Sequence, residues 1–338
     1  MKRSVSALLR LAVAIAWLYL ITVFALVTLD WALDGRVWWL ETLTSLRFYW
    51  LAPVVVVPLV AFAAARRRLL VAGLGAVALF AWLFGGLWLS RHTVAEAGRP
   101  ILTIASYNVL VISQNVPGVI STIRETDADV IGFQELGPDI AAGIRGQLAE
   151  EYPFQILDVE NAVISRFPIT RTHTTLPGTW GPDSPPQVYR IDFRGMPVTL
   201  INTHQFASIT FDLRYAVPWV LQMRQQQAET VAEFARQEIG RRRPVIMTTD
   251  LNATDQNGVH RIIRRVMHDA WREAGWGLGL TWRSQHQVPA IGPVGWLARI
   301  DHVFHSNDWT TVSARLGQWD GRSDHRPIIA RLQLRAER

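Results

Sequence analysis

Ser323-Asp324-His325-Arg326-Pro327 is the most telling five-residue stretch of this chain, because an acid and an imidazole stand side by side just ahead of the apolar run Ile328 to Leu334. Reading backwards from it, five more polar clusters end or follow apolar runs. They are Arg299-Ile300-Asp301-His302, Asp250-Leu251-Asn252, Asn202-Thr203-His204, Gln134-Glu135 and Ser106-Tyr107-Asn108. Together they hold what hydrolysis of a phosphate ester needs: carboxylates for a hard cation, a carboxylate for the water, and amides and imidazoles for phosphate oxygens.

The runs between the clusters set the fold class. Residues 101–107, 129–134, 154–159, 162–165, 188–193, 198–202, 244–249, 300–305 and 328–334 read as strands, and 119–126, 139–150, 220–239 and 259–267 as helices. Strands interspersed with helices around a large core imply an α/β layered fold. Asn108, Glu135, His204 and Asp250 each follow the end of an expected strand, where loops gather polar groups over an apolar scaffold. Four such placements point to one site.

The N-terminal hundred residues are different in kind. Leu11 to Leu29, Phe48 to Ala65 and Leu69 to Leu89 contain no charged residue, and a helix of about 20 residues crosses a hydrocarbon core of roughly 30 Å. Three transmembrane helices are expected, about 11–29, 48–65 and 69–89. The first run is too long for the apolar region of a cleaved signal peptide, and two more follow it. Lys2, Arg3 and Arg10 precede the first span and Arg66-Arg67-Arg68 separates the second from the third. The first connecting loop carries Asp30, Asp34 and Glu41 against Arg36 and Arg47. By the excess of basic residues on cytoplasmic loops, the N-terminus is expected in the cytoplasm and everything beyond Leu89 outside it. Ser90 to Pro100 reads as a linker, and 101–338 as the globular domain.

The net charge of +6 has to be divided before it is used. Residues 1–99 hold ten basic and four acidic residues, leaving 24 of the 34 basic and 24 of the 28 acidic residues to the rest. A neutral domain lacks the basic surface with which duplex-DNA binders displace counterions, so nucleic acid is disfavoured as a partner. There is no cysteine, which removes disulfides and thiolate metal sites, and Lys2 is the only lysine, which removes a Schiff-base lysine from the domain. A Gly-x-Ser-x-Gly elbow and a Walker loop are also missing. Arg241-Arg242-Arg243 reads as a solvated turn between a helix and a strand.

The ordered set of six clusters resembles the endonuclease/exonuclease/phosphatase superfamily, which includes DNase I, AP endonucleases, sphingomyelinases and inositol-polyphosphate 5-phosphatases. The resemblance covers about residues 101–335. It implies a DNase I-like four-layer α/β sandwich, two packed β-sheets flanked by helices, here preceded by the three spans.

It also implies roles. Glu135 is expected as the main ligand of a Mg²⁺ ion, with Mn²⁺ as a substitute, and Asn108 and Asp324 as completing or orienting its shell. Asp250 would be the general base and Asn252 would hold water or phosphate. His325 would donate to a phosphoryl oxygen with Asp301 fixing its tautomer, and His204 would be a second phosphate donor. The implied reaction is in-line attack by water without a covalent intermediate.

The His-containing motif leans away from AP endonucleases, and three spans before such a domain resemble teicoplanin-resistance-type membrane phosphatases of undecaprenyl pyrophosphate. The expected partners are therefore the bilayer and a phosphorylated lipid substrate, and the sequence leaves the oligomeric state open. The alternatives are an extracytoplasmic nuclease or phosphodiesterase, a sphingomyelinase-like phospholipase, or a non-catalytic membrane module. The last is disfavoured by the retention of Glu135, Asp250, Asn252, Asp324 and His325. Two apolar stretches, 206–219 and 276–296, are candidate substrate walls or lipid contacts.

Overall fold

The computed structural model describes residues 2–89, 93–180, 185–207, 218–284, 287–288, 292–293 and 295–335. The chain divides into two units, Met1–Leu89 and Ser90–Arg338.

In the first unit, two helical stretches, Ala7–Leu33 and Arg67–Leu87, are long and apolar enough to cross a membrane. The expected middle span is not a straight helix. It is a pair, Trp38–Ser45 and Arg47–Ala63, bent by 76°. Leu46 leaves helical backbone at φ −102° and ψ 14°, and Pro53 and Pro58 remove two N–H donors from the second limb, part of which winds as a 3₁₀ turn. A third span exists only if the bent pair counts as one. Asp30, expected in a loop, belongs to the helix Lys2–Leu33. It pairs with Arg47 at 2.5 Å and accepts from Thr44 Oγ1 at 3.1 Å. Both charged side chains are buried, which is tolerable because each satisfies the other.

The second unit is built on two six-stranded sheets. The first runs Trp309–Leu316, Ile328–Leu334, Ile101–Asn108, Val130–Leu136, Glu160–Ser165, Phe154–Ile156. The second runs Ile169–Arg171, Gln187–Phe193, Met196–His204, Val245–Asp250, Asp301–His305, His268–Asp269. Each sheet is mixed: Ile101–Asn108 is parallel to Val130–Leu136, Met196–His204 is parallel to Val245–Asp250, and the other pairings are antiparallel.

Strand residues alternate between the two faces. Tyr107, Ile131 and Phe133 pack outward on Val119, Ile123, Ile140 and Ile144 of the helices Val116–Thr126 and Pro138–Gln147. Ile201, Met247 and Phe304 pack outward on Ala228, Val231 and Ala235 of the helix Pro218–Gly240 and on Val259 and Ile263 of Gly258–Arg264. The result is helix, sheet, sheet, helix: the four-layer α/β sandwich. Arg241 and Arg243 sit in the turn after the long helix and pair with Glu238, as a solvated basic turn should.

Between the sheets the packing is polar and tight. Asn202 Oδ1 accepts from Gln134 Nε2 at 2.7 Å and Thr248 Oγ1 at 3.0 Å, and its Nδ2 donates to the carbonyls of Phe133 at 2.8 Å and Ala162 at 3.1 Å. Gly132 makes room for this hub. A Cβ there would lie 2.2 Å from Thr248 Oγ1 and 2.9 Å from Asn202 Oδ1.

Three strands of the two sheets were not expected from the sequence, Ile169–Arg171, His268–Asp269 and Trp309–Leu316, and all three lie at sheet edges. The helix expected over 139–150 stops at Gln147, that over 259–267 stops at Arg264, and the strand over 154–159 stops at Ile156. In the segment expected as a linker, the Glu96 N–H donates to Gln333 Oε1 and the Glu96 carbonyl accepts from Gln333 Nε2, both at 2.8 Å.

Candidate active site

The register of the strands assembles the site. In the second sheet His204 lies opposite Asp250, and Asp250 opposite Asp301, so three neighbouring strands deliver three functional side chains to one end. In the first sheet Asn108 lies opposite Gln134. The Ser323–His325 loop reaches the same place because Ser323 Oγ donates to the Asn108 carbonyl at 2.9 Å and accepts the His325 N–H at 3.0 Å.

Glu135 needs an extra device, because Gln134 already faces Asn202 and strict alternation would turn Glu135 outward. The pairing with Glu160–Ser165 shifts between Phe133 and Leu136, and Glu135 takes φ +53°. The bulge turns its carboxylate back toward Asn108. Leu110, Glu160 and Asn252 around the same site also have positive φ, at 62°, 73° and 48°. Non-glycine residues in that region carry backbone strain, which collects where geometry serves a function.

The side chains converge on Asp250. Asn108 Nδ2 donates to Glu135 Oε1 and Asp250 Oδ2, both at 2.9 Å, while its Oδ1 accepts the Leu110 N–H at 3.0 Å. Asp250 Oδ2 lies 3.7 Å from His325 Nε2 and 3.8 Å from His204 Nε2. Each imidazole has an acid behind it. His325 Nδ1 is 2.8 Å from Asp301 Oδ2, and His204 Nδ1 is 3.8 Å from Glu160 Oε2. Asp324 Oδ1 is 3.9 Å from His325 Nε2, and its Oδ2 accepts from Trp282 Nε1 at 3.3 Å.

The structure brings Asn108, Glu135, His204, Asp250, Asn252, Asp301, Asp324 and His325 into or beside one cluster, with two adjustments of detail. The amide of Asn108 is spent on orienting Glu135 and Asp250 and on the Leu110 N–H. The Nδ2 of Asn252 donates to the Gln205 carbonyl at 2.9 Å, while its backbone N–H donates to Asp250 Oδ1 at 2.9 Å, so Asn252 holds the base in place.

The charges set the protonation states. Burial and the nearby charge of Asp301 raise the Asp250 carboxyl above its ordinary value, against the pull of His325 and His204. Burial opposes protonation of His325, yet Asp301 and Asp250 together bring it up to about 10. His204 is also raised, with burial opposing and Glu160, Asp250 and Glu135 favouring the charged ring. Both imidazoles thus present N–H donors beside a base with increased proton affinity.

The cluster fits a divalent cation. Glu135, His204 and Asp250 can bring one ligand atom each within 4.8 Å of one another, as can Asp250, Asp301 and His325. Asp301 Oδ1 is buried without a hydrogen-bond partner. Such an unsatisfied oxygen among several acidic groups suits a hard cation with several oxygen ligands.

A third group, His260, Asp269 and His302, comes equally close together. There the positive charge is already supplied by Arg299, whose Nη1 lies 2.9 Å from both Asp269 Oδ2 and His302 Nδ1, and whose Nη2 is 3.0 Å from Asp255. Burial works against both acids, but Arg299 holds each well below the usual carboxylate range. His302 Nε2 in turn meets the Ala253 carbonyl at 3.0 Å. In the motif Arg299-Ile300-Asp301-His302, then, only Asp301 faces the site.

Sequence reading missed Glu160, Trp282 and Thr281. Thr281 Oγ1 accepts the Ile300 and Asp301 N–H groups at 3.1 and 3.2 Å. Thr281 and Trp282 stand in no polar cluster, and Glu160, although it follows the strand expected over 154–159, faces the site only through its left-handed backbone. Of the apolar stretch 206–219, residues 208–217 lie outside the described residues, as do several of 276–296.

The profile of the Endonuclease/Exonuclease/phosphatase family matches residues 105–325, and the chain belongs to that family. Its members are metal-dependent hydrolases of phosphoester bonds, and this chain is an enzyme of that class. Solved structures give the same fold. Truncated TDP2 from Caenorhabditis elegans is 20% identical with a TM-score of 0.56, over 69% of this chain and 98% of that one. A family protein from Bacteroides thetaiotaomicron is 19% identical, TM-score 0.52, over 70% and 99%. Sphingomyelinase C from Streptomyces griseocarneus is 16% identical, TM-score 0.50, over 69% and 99%. No curated protein matches the chain in sequence.

Proposed function

We propose that this protein is a membrane-anchored, Mg²⁺-dependent phosphoesterase that hydrolyses a lipid-linked phosphate, undecaprenyl pyrophosphate being the leading candidate, with its catalytic domain outside the cytoplasm. The observation that carries the chemistry is Asp250, a buried carboxylate of raised proton affinity with the Nε2 atoms of His325 and His204 3.7 and 3.8 Å from one oxygen. Asp250 takes the proton of the attacking water. His325, fixed by Asp301, and His204, backed by Glu160, hold phosphoryl oxygens as negative charge builds on them. Glu135 and Asp324 would hold the cation, which when bound adds positive charge against those oxygens, and Asn108 keeps Glu135 and Asp250 in register.

The lipid reading is supported by two or three apolar helices ahead of the domain, by the basic residues at Lys2 to Arg10 and Arg66 to Arg68, and by the neutral charge of residues 100–338. The test is phosphate release by the full chain in detergent with Mg²⁺, comparing polyprenyl pyrophosphate, sphingomyelin, inositol polyphosphates and single-stranded DNA. Polyprenyl pyrophosphate should be the best substrate, with release about 10²–10⁴-fold lower in Asp250→Asn and lost in Glu135→Gln. Equal release by those variants refutes the site, and preference for sphingomyelin or DNA refutes the lipid-pyrophosphate reading.

A further inference from the structure

Beside Asp324 the chain builds a cluster of two guanidinium groups and two indole rings. The Arg283 guanidinium lies 4.4 Å from the Trp319 ring centroid and 5.9 Å from that of Trp296, and the Arg326 guanidinium lies 4.4 Å from the Trp296 ring centroid. Trp296 and Trp319 meet edge to face at 6.2 Å. Arg283 therefore sits over Trp319 and against Trp296, and Arg326 over Trp296.

Backbone pairing puts this cluster next to the chemistry. Trp282 bridges His325 in antiparallel fashion, with the Arg283 N–H on the Asp324 carbonyl at 2.9 Å and the Arg326 N–H on the Thr281 carbonyl at 3.0 Å. This pairing sets Arg283 opposite Asp324 and Arg326 opposite Thr281. Neither arginine is paired with a carboxylate among the described residues, although the other buried or half-buried arginines nearby, Arg272 and Arg299, are. The only side-chain hydrogen bond from either is Arg326 Nε to the Leu280 carbonyl at 2.9 Å, among the described residues. A guanidinium stacked through its flat face keeps its N–H edge for an anion. Two uncommitted edges, held by packing at the border of a phosphoester site, have the chemistry of a phosphate clamp.

We infer that Arg283 and Arg326, stacked on Trp296 and Trp319, form a subsite for the second phosphate of a diphosphate whose first phosphate is attacked at Asp250. The inference rests on the functional reading above, since it needs a substrate with adjacent phosphates. It also explains how a neutral domain holds a doubly phosphorylated group: the positive charge is local.

The test is binding, measured separately from turnover. Calorimetric titration of the full chain in detergent with saturating Mg²⁺ compares methylenebisphosphonate, a non-hydrolysable diphosphate, with inorganic phosphate. The wild type should prefer the bisphosphonate by about tenfold or more, the scale of one charge-assisted hydrogen-bond pair. Arg283→Gln and Arg326→Gln should each reduce that preference to within about threefold while leaving phosphate affinity unchanged, and Arg283→Lys should rescue it incompletely because an ammonium has no planar edge. Thermal unfolding within a few degrees of wild type separates loss of the clamp from misfolding. Absence of any preference in the wild type, or its persistence in both glutamine variants, overturns the subsite. Failure to hydrolyse polyprenyl pyrophosphate with the preference intact overturns only the substrate reading.

Discussion

Asp301→Asn is the sharpest probe of the catalytic arrangement, because it changes one charge and almost no volume. In the native protein Asp301 Oδ2 lies 2.8 Å from His325 Nδ1 with both side chains buried, and the Asp301 N–H is fixed by Thr281 Oγ1. The asparagine can still accept from Nδ1 through its amide oxygen, so the ring should stay in place. What is lost is the negative charge that stabilises the imidazolium while it holds a phosphoryl oxygen. A hydrogen bond with a charged partner is worth about 1.5–3 kcal/mol, which in the transition state converts to roughly 10- to 150-fold in kcat.

The pH dependence supplies a second signature. His325 stands at about 10 because Asp301 and Asp250 outweigh burial, so its donor form persists through neutral pH and is lost as pH rises through that value. Removing Asp301 lowers the pKa, and the alkaline fall in activity should begin at a lower pH than in wild type. The assay is phosphate release at saturating substrate from pH 6 to 10, with thermal unfolding as a control. A variant within twofold of wild type at neutral pH and with the same alkaline limb would refute the assignment of His325 as a charged donor.

Glu160→Gln should give a smaller loss than Asp301→Asn, because Glu160 stands 3.8 Å from His204 against 2.8 Å for the other pair; a larger loss in steady-state kcat would reverse the order of importance of the two imidazoles. Gly132→Ala places a methyl 2.2 Å from Thr248 Oγ1 and should destabilise the domain by about 1–3 kcal/mol, read as a lower midpoint in urea. His260, in contact with Asp269 at 2.8 Å, is held down to about 4 chiefly by burial. The unfolded chain therefore binds a proton below about 6.5 that the folded protein refuses until about 4, so folding stability should fall as pH drops across that window, by up to about 3 kcal/mol. His260→Gln should flatten that slope relative to wild type in denaturant titrations at pH 7 and 4.5.

The strands that deliver the site were legible because apolar runs of four to eight residues ended in polar clusters, and the register needed only those endpoints. Trp309–Leu316 was not legible. It is an edge strand, and its Thr310, Ser313 and Arg315 blur the apolar alternation that marks a half-buried strand. The helix at Val116–Thr126 begins earlier than its apolar spacing suggests because Asn115 caps it, accepting the Gly118 N–H, with Pro117 in the first turn. Asp250, His204, Asp301 and His325 could be singled out because their residue types stand in order. Glu160 could not, since its position depends on a left-handed residue opposite a bulge in a neighbouring strand. The bent middle helix carried its signal in Pro53 and Pro58, which hydropathy alone passes over.

The strand Ile101–Asn108 lies in the middle of its sheet, between Val130–Leu136 and Ile328–Leu334. Asn108 takes its partners from residues 142 and 215 positions further along the chain, Asp250 and Ser323. During synthesis, therefore, the domain's first strand has one edge open until Ile328–Leu334 has been made. The nascent enzyme is inert throughout that wait, and a chain cut anywhere before Ser323 has neither its second imidazole nor the strand that closes the sheet. The assembled site therefore depends on segments more than 200 residues apart in the chain.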